Sequence, residues 1–239
     1  MYKSKVLIGF IVLAYTLFVI FQFGGDELMA SSFSSVIFPL IALLYFVSVK
    51  PKTLFFSLFL LCYSLSELAF FIIDLIPYLY FYYIGNILSM LSYTFLLLEV
   101  CKSVCGFYVL KNFKFHIIVL TGLNIYIAYI LQEAINPYLE LTTEYLIEIT
   151  YNIVMLLLLS ISLLNYFYKD DKKSLFFFFG ALSIVFSEVI NVAYLYVAHH
   201  NLLNFVSVTL FLLAFYFLFL QSKLENVKVE ETEISTNVN

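Results

Sequence analysis

The chain has no arginine, only three cysteines, and only 12% charged residues in 239. It also has long stretches with no charge at all. Each scarcity excludes something. Without a basic stripe the chain has no electrostatic footprint for nucleic acid, and its net charge of −4 carries no signal about partners. A soluble domain of this length is excluded too, because 64% hydrophobic and 20% aromatic residues leave too little polar surface to cover it. The cysteines are Cys62, Cys101 and Cys105. Cys62 falls inside an apolar run as a small core residue. Cys101 and Cys105 are one helical turn apart with no further ligand close in sequence, so neither a metal site nor a cofactor is expected. His199 and His200 stand together at the edge of an apolar run and read as interfacial, again without a third ligand.

What is present is a series of apolar runs of membrane-spanning length. Eight spans are expected at about residues 6–23, 36–49, 54–75, 78–100, 115–134, 145–168, 174–198 and 202–220. The first is read as a retained helix, since it is too long for a signal-peptide core and no small-x-small cleavage site follows. The second is short and would begin nearer Ser32 or be helped by tilt. With eight spans, all 12 lysines fall on one side: Lys3 and Lys5; Lys50 and Lys52; Lys102, Lys111 and Lys114; Lys169, Lys172 and Lys173; Lys223 and Lys228. The opposite loops hold Asp26, Glu27, Glu133, Glu140 and Glu144. The positive-inside rule then places both termini in the cytoplasm, as in a bacterial inner-membrane protein. Residues 1–224 are read as one transmembrane domain and the polar, acidic stretch 225–239 as a disordered cytoplasmic tail.

Within this series two helices match. KTLFFSLFLLCYSLSE begins at Lys52, and KSLFFFFGALSIVFSE begins at Lys173. Laid together without a gap, Lys52, Leu54, Phe55, Phe56, Leu61, Ser66 and Glu67 meet Lys173, Leu175, Phe176, Phe177, Leu182, Ser187 and Glu188. Leu and Phe matches are cheap in so apolar a chain. A helix-start lysine and a Ser-Glu step at equal depth are not. Four passes separate the copies, so both run in the same direction, and the expected architecture is an all-α membrane protein of two parallel four-helix repeats, about 1–112 and 113–224. Each glutamate lies 15 residues beyond its lysine, roughly 22 Å along a helix, past the midplane of a core about 30 Å thick.

A carboxylate at that depth is costly and is expected to face the bundle interior. Helical spacing puts Ser64 and Asp74 on the face of Glu67, and Asn191 one turn beyond Glu188. Other spans offer polar stripes: Asn86, Ser89 and Tyr93; Thr121 and Asn124; Glu148 and Asn152; Asn204 and Ser207. Glu67 and Glu188 are therefore the candidate catalytic pair. Ser64, Asn86, Tyr93, Asn124, Asn152 and Asn191 are the candidate binding residues, with the three asparagines 86, 124 and 191 expected in one pocket. Single buried Ser, Asn and Tyr residues also serve simply as hydrogen bonds between helices. Glu99 is expected to pair with Lys102.

These motifs are similar to those of the YhhN family of lysoplasmalogenase-like membrane proteins. VIFPLIALLYF resembles the family's Lys-Pro-Leu helix, with Pro39 and Leu40 kept and Phe38 where the lysine usually stands. Ser66-Glu67 falls where the family has Gly-Asp. YYIGNILSMLSY resembles its fourth helix through Gly85, without the usual histidine, and GALSIVFSE resembles its GAL-x-F-x-x-Ser-Asp segment. Both aspartates that the resemblance implies to be catalytic are glutamates here. The implied activity is hydrolysis of the vinyl ether bond of lysoplasmalogens, with a membrane lipid or lysolipid as partner. Protonation of the vinyl carbon by one carboxyl, and activation of water by the other, suits such a pair. The rival expectations are a small proton-coupled transporter or ligand-binding membrane protein, and a membrane scaffold. The absence of Gly or Pro breaks in the two glutamate-bearing helices speaks against the carrier.

Overall fold

The computed structural model describes residues 2–104, 106–139 and 142–224. The tail 225–239, Cys105 and the Asp74 side chain, on which expectations were placed above, lie outside the described residues. The described chain is helical: α1 (Tyr2–Gly24), α2 (Glu27–Ser48), α3 (Leu54–Leu68), α4 (Tyr78–Cys101), α5 (Gly106–Asn112), α6 (Lys114–Ile135), α7 (Thr142–Lys169), α8 (Lys172–Val192) and α9 (Asn201–Ser222). All but the short α5 are long and apolar enough to cross a bilayer, which makes this an eight-span integral membrane protein.

The second span is longer than the apolar run 36–49 suggests. Gly25 takes a left-handed φ of 85° and ends α1. Asp26 then accepts from the Met29 amide at 3.1 Å and starts α2 at Glu27. In the serine-rich first turns Ser32 and Ser34 satisfy their hydroxyls within the helix, on the carbonyls of Leu28 and Ser31. The α5 helix, in the lysine-rich connection, was not expected, because seven residues carry too little periodicity to announce it.

Seven of the spanning helices close into a ring. Each of α1, α2, α3 and α4 packs on the next, α4 crosses to α7, and α7, α8 and α9 continue until α9 returns to α1 and α2. The remaining span, α6, stands outside this ring against α7, with a lesser contact to α8. The core is aromatic. Tyr63 stacks on Phe211 at 4.8 Å and meets Phe38 edge-on at 5.3 Å, and Phe59 stacks on Phe215 at 5.4 Å. Lys50, Lys173 and Lys223 surround one cavity of about 310 Å³, so the lysine-bearing ends of α2, α8 and α9 meet at one end of the bundle. At the far end His199 reaches Glu27 at 3.3 Å and stacks on Tyr194.

Candidate functional site

Both glutamate-bearing helices change form just past the carboxylate. The α-helix of α3 ends at Leu68 and a 3₁₀ segment, Ala69–Leu75, carries the chain on. In α8 the regular helix ends at Val192 and a π segment, Ala193–Val197, follows. The absence of Gly or Pro there does not keep these helices regular, so it no longer speaks against a carrier. The breaks need no Gly or Pro, because neighbouring helices and local 3₁₀ or π bonding satisfy the backbone.

The Ser-Glu step explains how each glutamate is aimed. Ser66 donates to the Gly85 carbonyl at 3.0 Å and shares a 2.8 Å bond with Ser89, tying α3 to α4. Ser187 donates to the Ser207 carbonyl at 2.7 Å, and Ser207 donates back to the Ser187 carbonyl at 3.1 Å, tying α8 to α9. In both places the serine binds the helix that follows in sequence. The adjacent glutamate is thereby turned about 100° away around its helix, toward the interior of the ring.

The result is one cavity of about 160 Å³ that Glu67 and Glu188 line together, with Ser34, Asn191, Asn204 and Ser207 among its polar walls and Phe38, Tyr63 and Phe211 among its apolar ones. Each glutamate is half-buried. Tyr93 donates its hydroxyl to Glu188 Oε1. Tyr151 lies against the same carboxylate, and Tyr63 and Ser35 lie against Glu67. The space suits waters or a small polar group, and it falls below the ~300–1,000 Å³ typical of whole-ligand pockets.

The other predicted residues are dispersed. Asn191 lines the cavity, and Tyr93 reaches it through Glu188. Asn86 donates to the Tyr82 carbonyl of its own helix at 3.1 Å. Asn124 donates to Ser160 at 2.8 Å and lines a separate groove between α6 and α7. The three asparagines therefore do not share one pocket, because α6 stands outside the ring. Ser64 and Asn152 are buried, and the Ser64 hydroxyl and Asn152 Nδ2 find no partner. Glu148, one turn before Asn152, accepts from Tyr82 at 2.5 Å. The expected Glu99–Lys102 pair does not form. The Lys102 ammonium sits 3.9 Å over the Phe55 ring, while Glu99 lines a cavity with Lys173 and Asn165.

The polar residues missed were Tyr63, Tyr151, Ser34 and Ser35. Tyr63 is one turn before Glu67, and helical spacing alone would have found it. No comparable signal marks Tyr151 or Ser35, which arrive from α7 and α2. Among the described residues no three His, Cys, Asp or Glu side chains group as metal ligands would. The chain matches no protein-family model, no curated protein and no solved structure.

Proposed function

We propose that this protein is a membrane-embedded hydrolase in which Glu67 and Glu188 act as an acid–base pair on an ether bond of a single-chain lipid. The observation that carries the reading is that two carboxylates from separate helices line one polar cavity inside an apolar bundle. Intramembrane carboxylates are expensive, and two that converge rather than disperse mark a functional site by default. The likeness of the Ser66-Glu67 and GALSIVFSE segments to the lysoplasmalogenase-like family narrows the bond to a vinyl ether, with Phe38 on the cavity wall where that family carries lysine.

In this mechanism one glutamate, protonated, delivers its proton to the vinyl carbon, and an oxocarbenium-like centre forms beside the ether oxygen. The other, ionised, takes a proton from water as that water adds to the centre. The hemiacetal then collapses to a fatty aldehyde and a glycerophospho alcohol, so the net change is the addition of one water. The cavity takes only the reacting portion of such a substrate, and the acyl-like chain lies outside it. Tyr63, Tyr93 and Tyr151 hold the two carboxyl groups in place.

Two further features of the same reading concern architecture. The bundle is read as two parallel four-helix repeats, because Ser66 and Ser187 each bind the next helix in sequence. The lysine-bearing end is assigned to the cytoplasm of a bacterial inner membrane, because all the lysines then lie inside. Reporter fusions at Lys111, Lys172 and the C-terminal tail should score as cytoplasmic and a fusion near Asn136 as external. A tail found outside would overturn the orientation.

The decisive experiment measures aldehyde release from lysoplasmalogen by the purified protein and by Glu67→Gln and Glu188→Gln, with thermal stability in detergent alongside. Loss of aldehyde release with folding retained is the expected result. Undiminished hydrolysis in both variants would make the carboxylates structural. A parent inactive on every ether lipid, yet coupling proton and solute flux in vesicles, would replace the hydrolase with a carrier.

A further inference from the structure

The span outside the ring, α6, leaves a groove along its contact with α7 that shares no wall residue with the carboxylate cavity. Its walls are a stripe of α6, from Thr121 through Ala128 to Gln132 and on to Asn136, and the facing residues of α7 from Leu157 to Tyr145. The volume is about 490 Å³, within the range of small-ligand sites. Fifteen residues separate Thr121 from Asn136, about 22 Å at helical rise, so the groove is elongated along the helix axis.

One residue does not fit an empty apolar seam. Gln132 is only 7% exposed, lines the groove, and has a partner for neither Nε2 nor Oε1. A buried amide with no hydrogen bond forfeits the bonds it made to water in the unfolded chain, so it is retained at a cost to stability. Gln132 lies 18 residues past Lys114, so it marks the end of the groove away from the lysines. Below it come Ile125, Ala128, Ile149, Ile153 and Leu156, and at the far end Thr121 and Asn124, whose amide already donates to Ser160. An unpartnered amide at one end and an apolar stretch beneath it describe an amphiphile lying along the groove.

We propose that the α6–α7 groove binds a single-chain amphiphile with an uncharged, hydrogen-bonding head group, of the monoacylglycerol kind. A volume of about 490 Å³ is filled by one hydrocarbon chain and its head, which favours a single-chain lipid over a two-chain one. The Gln132 amide offers donors and an acceptor together, which an ester carbonyl and a glycerol hydroxyl satisfy. Glu133 lines the mouth and no lysine or arginine lines the groove, which disfavours an anionic head such as a free fatty acid carboxylate. The chain enters sideways from the bilayer, where Ile125 and Tyr129 are exposed on the groove's open side.

The test uses the purified full chain with a monoacylglycerol carrying a photoreactive diazirine in its acyl chain. Crosslinks should map to residues 121–133 and 149–157 and be displaced by excess unmodified monoolein at least fivefold better than by oleate. Ala128→Phe, which fills the slot, and Gln132→Leu, which removes the amide, should each lower labelling at least fivefold. Gln132→Leu should also raise the melting temperature of the lipid-free protein, because an unpartnered buried amide is gone. Labelling spread equally over other membrane-facing helices such as α1 would overturn the site. So would labelling unchanged in both variants, and equal competition by oleate would overturn the head-group assignment.

Discussion

In the α3–α4 pair, Ser66 is partly exposed and reaches Gly85 and Ser89 across an open contact. In the α8–α9 pair, Ser187 is 1% exposed and exchanges reciprocal bonds with Ser207. The cause of the difference lies two turns earlier. Gly180 on α8 brings the α9 backbone close, so a Cβ placed there would stand 2.7 Å from Leu218 Cγ. The position that matches it in the gapless overlay is Phe59, a fully buried ring that stacks on Phe215 of α9 at 5.4 Å. The starts of the helices differ as well. Asp171 accepts from both the Ser174 amide and the Ser174 hydroxyl at 2.7 Å, whereas Thr53 gives α3 no side-chain cap. One Ser-Glu device is thus mounted on a tight, capped hairpin and on a looser, uncapped one. The carboxylate device is common to both, and the rigidity beneath it is not. Small residues at a helix interface permit close approach, and that closeness sets how well an interhelical hydrogen bond is made.

The largest expected effect removes the shared device. Glu67→Gln or Glu188→Gln should lower aldehyde release about 10²–10⁴-fold, the usual worth of general acid–base help. The melting temperature should change little, since Gln keeps the shape. A large effect at only one position would mean that the two halves are not equivalent in chemistry. The next effect separates the halves. Gly180→Val should destabilise the protein by about 1–3 kcal/mol, because Leu218 and the Ala214 carbonyl leave no room. Thermal unfolding in detergent reads this directly, and a neutral result would mean that α8 and α9 part easily at this point. Smaller again, Asp171→Ala should cost about 1 kcal/mol, while Thr53→Ala should be near neutral. The smallest difference compares the two serines. Ser187→Ala should cost more than Ser66→Ala, with both near the ~0.6 kcal/mol average for interhelical hydrogen bonds. Equal losses would erase the asymmetry.

The spans, their number and the depth of both carboxylates were legible in the residues because hydrocarbon imposes its own grammar. Backbone groups must bond internally, and a run of about 20 apolar residues has one way to do so. The Ser-Glu repeat was legible for a related reason, since two polar residues at equal depth in a greasy helix are too costly to recur idly. The short α5, the 3₁₀ and π segments after Glu67 and Glu188, and the true start of α2 were not. Those depend on which neighbour satisfies a freed backbone group, and no single helix records its neighbours.

The residues by themselves determined that this is an eight-span membrane protein and that Glu67 and Glu188 stand at matching positions along their helices, and they gave the expectation that neither faces lipid. They could not determine which helices close the ring. That choice belongs to tertiary packing, because apolar surfaces in a bilayer are nearly interchangeable and only shape and a few polar contacts select partners. It was the tertiary structure that put α6 outside and so took Asn124 away from the cavity. It also brought Tyr93 from α4 and Tyr151 from α7 onto the Glu188 carboxylate, and left Gln132 buried without a partner beside an open slot.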